Sequence, residues 1–250
     1  MDTGIDAHTA ERFRNPQLEI RNPSGWLPFL LQTSDALFPT GAYAHSLGFE
    51  EIVRLELVRD EASLRDFLRG QIVPALRELE LPYLRFGFDA ATAGDLDALC
   101  AIDREISAWK LARETREASA QLGVRRLKAL RVICDAPLLA GFEQCVERSS
   151  ARGHHLVVCG LQAAVEGMPA FAALTAYFYQ SLAAMCAAAL KLIRIGQDGC
   201  QRVLRAVCAN AQETIEASFA VARENAGWFN PLLEIASMRH ERAAERLFIS

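Results

Sequence analysis

Between Gly167 and Leu190 the chain carries no charged residue. A run of that length must either cross a bilayer or lie in the middle of a protein core. It is rich in alanine, which contributes little to insertion, and Thr175, Tyr177, Tyr179, Gln180 and Ser181 would each need a partner inside lipid. A buried central helix is expected, with no membrane association. At helical spacing Phe171, Leu174, Phe178, Leu182, Met185, Ala189 and Leu192 form one apolar stripe. Tyr177, Gln180, Ala184, Ala187 and Lys191 form a second face, smaller and more polar. Two unlike faces call for two unlike neighbours, the core on one side and a closely approaching helix or subunit on the other.

The rest of the chain from Trp26 onward repeats its apolar residues at intervals of three and four, with no stretch of strand period. Only 15 glycines and 9 prolines are present, too few for the turns of an all-β chain. An all-α, single-domain helical bundle is predicted. Asp60 caps a helix whose stripe is Leu64, Phe67, Leu68, Ile72 and Leu76, interrupted near Pro74, and Pro82 marks the next break. Leu96, Leu99, Ile102, Ile106 and Trp109 make another stripe, continued by a mixed-charge run from Arg104 to Arg131 that reads as a solvated face. Further helices are expected from Leu138 to about Arg148 and from His154 to Glu166, the latter ending at Gly167. Residues 1–23 read as a loose tail and 24–250 as one domain, with a partner-binding tail at about 231–250.

Charge and motifs exclude several functions. With 27 basic against 31 acidic residues the net charge is -4, which gives no broad basic field for nucleic acid. Arg125, Arg126, Lys128 and Arg131 are dense but wrap around their helix. None of Lys110, Lys128 and Lys191 follows a glycine, so there is no P-loop, and no dinucleotide, serine-hydrolase or zincin motif is found. Seven cysteines without a C-x-x-C pair, together with an N-terminus lacking a signal-like apolar run, point to a reducing, cytoplasmic setting. The histidines are read without a metal site, His154 and His155 as capping or surface groups, and no bound cofactor is expected. Cys159, Gln162 and Glu166 share a face, so a helical-bundle enzyme using Cys159 and Glu166 is the alternative. An inert core thiol among Leu156, Val157, Val158 and Leu161 is the simpler reading.

The stretch Leu30 to Glu50 is the most informative. Phe38-Pro39-Thr40-Gly41 stops one helix and starts another, and Gly41, Ala42, Ala44 and Gly48 make the second unusually slim, with Tyr43 and His45 as polar-tipped projections. With its Ser-Asp, Pro-x-Gly and His-Ser-x-Gly-x-Glu elements, this segment resembles the signature of the urease accessory protein UreF family. The resemblance extends through Glu117-Ala118-Ser119 with Gly123, Arg125 and Leu127. It continues in His155 to Gly160 with Ala163, Ala164 and Gly167, and in Lys191-Leu192 with Gly196-Gln197 and Gln201. Ser237-Met238-Arg239-His240-Glu241 and Arg246-Leu247-Phe248 resemble the family's C-terminal tail, whereas Ala244-Glu245 stands where relatives often have Tyr-Ser.

That resemblance implies an all-α, dimeric, non-enzymatic scaffold that joins UreD (also called UreH) to the GTPase UreG and delivers nickel to apo-urease, nickel being handled by the complex. Carried over residue by residue, it implies a partner-binding set of Tyr43, His45, Lys191, Arg239, His240 and Arg246. Within it, Tyr43 and Arg246 face UreD and Lys191 faces UreG.

Overall fold

A computed structural model describes residues 25–41, 48–243 and 246–248, and among these every regular element is helical. Residues 1–23, Tyr43 and His45 lie outside the described residues. Helix α1 spans Trp26–Ser34 and α2 Phe49–Arg54. A long rod then begins at α3 (Glu61–Phe67), where Asp60 accepts from Ser63 N at 2.8 Å and Ser63 Oγ accepts from Asp60 N, a reciprocal cap. The rod passes through a π-helical turn at Leu68–Ile72, a short α4 (Val73–Ala75) and a second π-helical turn at Leu76–Glu80 into α5 (Leu81–Thr92). The interruption expected at Pro74 is thus a pair of wide turns that absorb the missing N–H. Pro82 does not break the chain as expected. It sits in the first turn of α5, where it forgoes little.

Helix α6 (Leu96–Trp109) carries the anticipated stripe, with Leu99, Ile102 and Ile106 buried. The mixed-charge run does not continue unbroken from it. Lys110 to Ala112 separate α6 from α7 (Arg113–Ile133), because Ala112 N donates to Glu234 Oε2 at 2.8 Å and Arg116 donates to the Lys110 carbonyl at 2.7 Å. Nor is α7 wholly a solvated face: Arg126 is only 6% exposed. Helices α8 (Pro137–Glu147) and α9 (His155–Val165) follow, then α10 (Ala170–Leu192), α11 (Gln197–Cys208), α12 (Ala211–Phe219) and α13 (Pro231–Glu241).

Helix α9 lies at the centre, packed on α5, α7 and α10. Its crossing with α5 is backbone to backbone. A Cβ on Gly160 would meet the Leu84 carbonyl and come within 2.6 Å of Phe88 N. On the other side, a Cβ on Gly123 of α7 would press into the Gly153 carbonyl and lie 2.7 Å from His155 N. The first amides of α9 are held from α6: Asp103, fully buried, accepts from His154 N at 2.6 Å and also from Arg152 N. His154 is not a surface group. Its ring is completely buried, with Nε2 2.8 Å from Ser107 Oγ and Nδ1 3.1 Å from Ser119 Oγ.

Helix α10 is long and apolar enough to cross a membrane by length and composition, but one face of it is core. Leu174, Phe178, Leu182, Met185 and Ala189 are buried, while Phe171 at the end of the stripe is 41% exposed. The second face, through Tyr177, Gln180, Ala184, Ala187 and Lys191, borders a cavity of about 630 Å³.

Two stability outcomes follow from this core. Gly160→Ala should cost about 3 kcal/mol, because backbone rather than a pliable side chain must yield, whereas Gly196→Ala, with open space around it, should change the melting temperature little. Burial first, then the nearby cations Lys110 and Arg152 for His154 and Arg126 and Lys110 for His155, lowers both histidine pKa values to about 3. Both rings are neutral when folded and take up a proton near pH 6.5 when unfolded. Their contribution is therefore full above that pH and shrinks as pH falls toward 3. The unfolding free energy from urea titration should decline below pH ~6.5 by about 1.4 kcal/mol per pH unit for each histidine. A flat profile from pH 7.5 to 5 would contradict this.

Candidate functional site

Three distant segments meet where the chain ends. Helix α13 starts under Asn230, whose side chain accepts from Leu232 N and Leu233 N, and it buries Ala236, Ser237 and His240 on one face. Its other face leaves Ile235, Met238 and Arg239 exposed. Against it lies α2, in which Phe49, Glu50, Glu51 and Ile52 are all buried. From the third side α7 contributes Glu114 in its first turn, where a helix favours an acid.

These elements build a charged clamp. His240 is fully buried, with Nε2 3.0 Å from Glu50 Oε2 and Nδ1 3.0 Å from Glu114 Oε2. Arg246 donates to Glu114 Oε1 at 3.3 Å. Leu247 N and Phe248 N then donate to the Glu50 carboxylate at 3.0 and 3.2 Å. Burial opposes ionisation of Glu50, but these amide donors and His240 outweigh it and hold its carboxyl below the usual carboxylate range. Two carboxylates thus face Arg246 and the His240 ring, and Arg113 pairs with Glu241 at the edge. Phe248 is 6% exposed, and Lys191 Nζ sits 5.1 Å above its ring.

The placement of the anticipated partner-binding residues is informative. Lys191, in the last turn of α10, and Arg246 reach the same patch through Phe248 and Glu114. Arg239 is exposed on α13. His240, anticipated as a partner-facing side chain, is an interior bridge, its fully buried ring held between the Glu50 and Glu114 carboxylates. Sequence reasoning missed Glu50 and Glu114. The signal for Glu50 was an acid set inside the apolar helix Phe49-Glu50-Glu51-Ile52-Val53.

The alternative catalytic pair does not assemble. Burial raises the Cys159 thiol, whose polar neighbour is His155 Nε2 at 3.5 Å, four residues earlier on α9. Glu166 instead hydrogen-bonds Cys134, which with burial pushes that thiol up to about 11. Among the described residues no group of three or more histidines, cysteines or acids is placed to hold a metal ion.

Comparison with known proteins agrees with the sequence pattern. Residues 58–208 match the family model UreF. The chain is 35% identical over 221 residues to a urease accessory protein UreF from Paenarthrobacter aurescens, covering 88% of this chain and 96% of that protein. It is 32% identical over 226 residues to one from Actinobacillus pleuropneumoniae, covering 90% and 100%. It is 30% identical over 221 residues to one from Haemophilus influenzae, covering 88% and 94%.

The clamp makes the tail's attachment measurable. In Glu50→Gln the amides of Leu247 and Phe248 lose a charged acceptor, and their hydrogen-exchange protection at pH 7 should fall about tenfold or more. Because the folded Glu50 pKa is lowered, the wild-type tail should stay protected above the ordinary carboxylate range and loosen as pH drops through the lowered value. Unchanged protection in the variant would mean that Phe248 packing alone holds the tail.

Proposed function

This chain belongs to the UreF family of urease accessory proteins, and we propose that it serves urease maturation as a non-enzymatic scaffold between UreD (UreH) and the GTPase UreG. In this reading it couples GTP hydrolysis by UreG to delivery of nickel, the cargo, into apo-urease. It works in the cytoplasm and as a homodimer.

The observation that carries the reading is the contact between Lys191 and Phe248. The resemblance assigns Lys191 to the UreG-facing surface and Arg246 to the UreD-facing one. Only two residues beyond Arg246, the Phe248 ring lies under the Lys191 ammonium, while the Phe248 amide is tied to Glu50. A partner that grips the tail would therefore move or fix the ring beneath the lysine. A cation–π contact of about 0.5–1 kcal/mol is small enough for a partner to remake, which suits a coupling element better than a permanent strut. Met238, Arg239 and Leu247 are exposed beside the clamp and supply both apolar and charged contact surface.

Co-purification with UreD and UreG, scored by light scattering, tests this. Lys191→Ala should retain UreD and weaken UreG capture about tenfold or more, while Arg246→Ala should weaken UreD capture to a similar degree. A truncation after Ala243 should abolish UreD binding while sparing His240 and the end of α13. Failure of the folded wild-type chain to bind either partner would overturn the scaffold reading. Equal loss of both partners in both variants would overturn the division of surfaces.

A further inference from the structure

The cavity beside α10 is lined by a nearly buried cation and by buried polar atoms that have no partner among the described residues. Arg126, nearly buried, lines it and donates Nε to Gln162 Oε1 at 2.7 Å and NH2 to the Thr33 carbonyl at 3.2 Å, with its guanidinium 5.3 Å from the Phe38 ring centroid. These partners are all neutral. Among the described residues no carboxylate pairs with it, an unusual state for a buried guanidinium. His155 and Trp228 line the same space, and the buried His155 Nδ1 and Trp228 Nε1 have no partner. His155 Nε2 lies 3.5 Å from Cys159 Sγ, so of its two ring nitrogens Nδ1 alone is left unpartnered.

The described carboxylates that border the cavity already accept hydrogen bonds, Asp35 from Leu37 N at 2.8 Å. Glu80 takes Lys110 Nζ at 3.3 Å and the Tyr177 hydroxyl at 3.0 Å, and Glu234 takes Ala112 N. The walls between are apolar, formed by Leu76, Leu79, Ala184 and Met185 among others. A cavity of about 630 Å³ falls within the size range of small-molecule sites. A nearly buried cation without a carboxylate partner among the described residues, with apolar walls beside it, describes the complement of a molecule that has a negative head and an apolar body.

We propose that this cavity binds a small amphipathic carboxylate, its head on the Arg126 guanidinium and its body along the alanine face of α10. The head supplies the charged acceptor that Arg126 lacks among the described residues. The body lies on Ala184 and Ala187, whose short side chains leave the space open.

Titration calorimetry of the full chain with 1-naphthoate, its neutral analogue 1-naphthamide, and inorganic phosphate tests the assignment. Naphthoate should bind one to one, with the amide and phosphate each weaker by about tenfold or more, because each lacks one half of the match. Arg126→Gln should weaken naphthoate about tenfold or more. Ala184→Phe, at an exposed position of α10 that folding can accommodate, should abolish binding while leaving the circular dichroism spectrum and melting temperature unchanged. No saturable naphthoate binding by the folded protein overturns the proposal, as does binding that survives Ala184→Phe. Equal affinity for the amide overturns the role of the charge, and equal affinity for phosphate overturns the role of the apolar walls.

Discussion

The packing of α9 against α5 leaves no room for a side chain at Gly160, and the other helices are arranged around that contact. Two backbones in van der Waals contact bring Val157 and Leu161 deep among Leu84, Leu99 and Phe142, all of them fully or nearly fully buried. On its far side α9 is met by α7 through Gly123, so it is pressed between two helices at glycine positions. A helix so enclosed cannot turn its first amides to water. Asp103 and the hydroxyls of Ser107 and Ser119 therefore surround its start, the first on the backbone and the other two on the His154 ring. The polar groups in this interior secure the end of a central helix.

Buried charge is handled in two contrasting ways. At the clamp, Glu50 and Glu114 are matched by His240, Arg246 and backbone amides, so desolvation is offset by several short hydrogen bonds at once. At Arg126 the acceptors are neutral, and among the described residues no carboxylate pairs with the charge. Self-sufficiency at one place and deficiency at the other separate a structural fastening from a place that awaits something.

Much of the fold was legible in periodicity. The Asp60 cap, the stripe from Leu64 to Leu76, the end of α9 before Gly167 and the two faces of α10 all follow from spacings within one helix. What spacing could not convey was contact between segments far apart in sequence. The break at Lys110 to Ala112 depends in part on Glu234, more than a hundred residues later. Arg126 looks like any member of a basic run until Gln162 and Thr33 are placed beside it. His240 carried a recognisable family pattern, yet its burial depends on Glu50 and Glu114, two acids from other parts of the chain. Of the candidate site, the lysine and the tail could be read, and the carboxylates that join them could not.

The clamp spans almost the full length of the polypeptide, since Glu50 binds the ring of His240 and the amides of Leu247 and Phe248. Ring closure over so many residues is entropically expensive and comes late. On the ribosome, Glu50 emerges early and must wait for nearly two hundred further residues before it acquires its donors. The bundle core can assemble in that interval, but the surface made by Lys191, Phe248 and the tail cannot. Timing alone then keeps unfinished chains from displaying that face, and only a chain synthesised through Phe248 shows it.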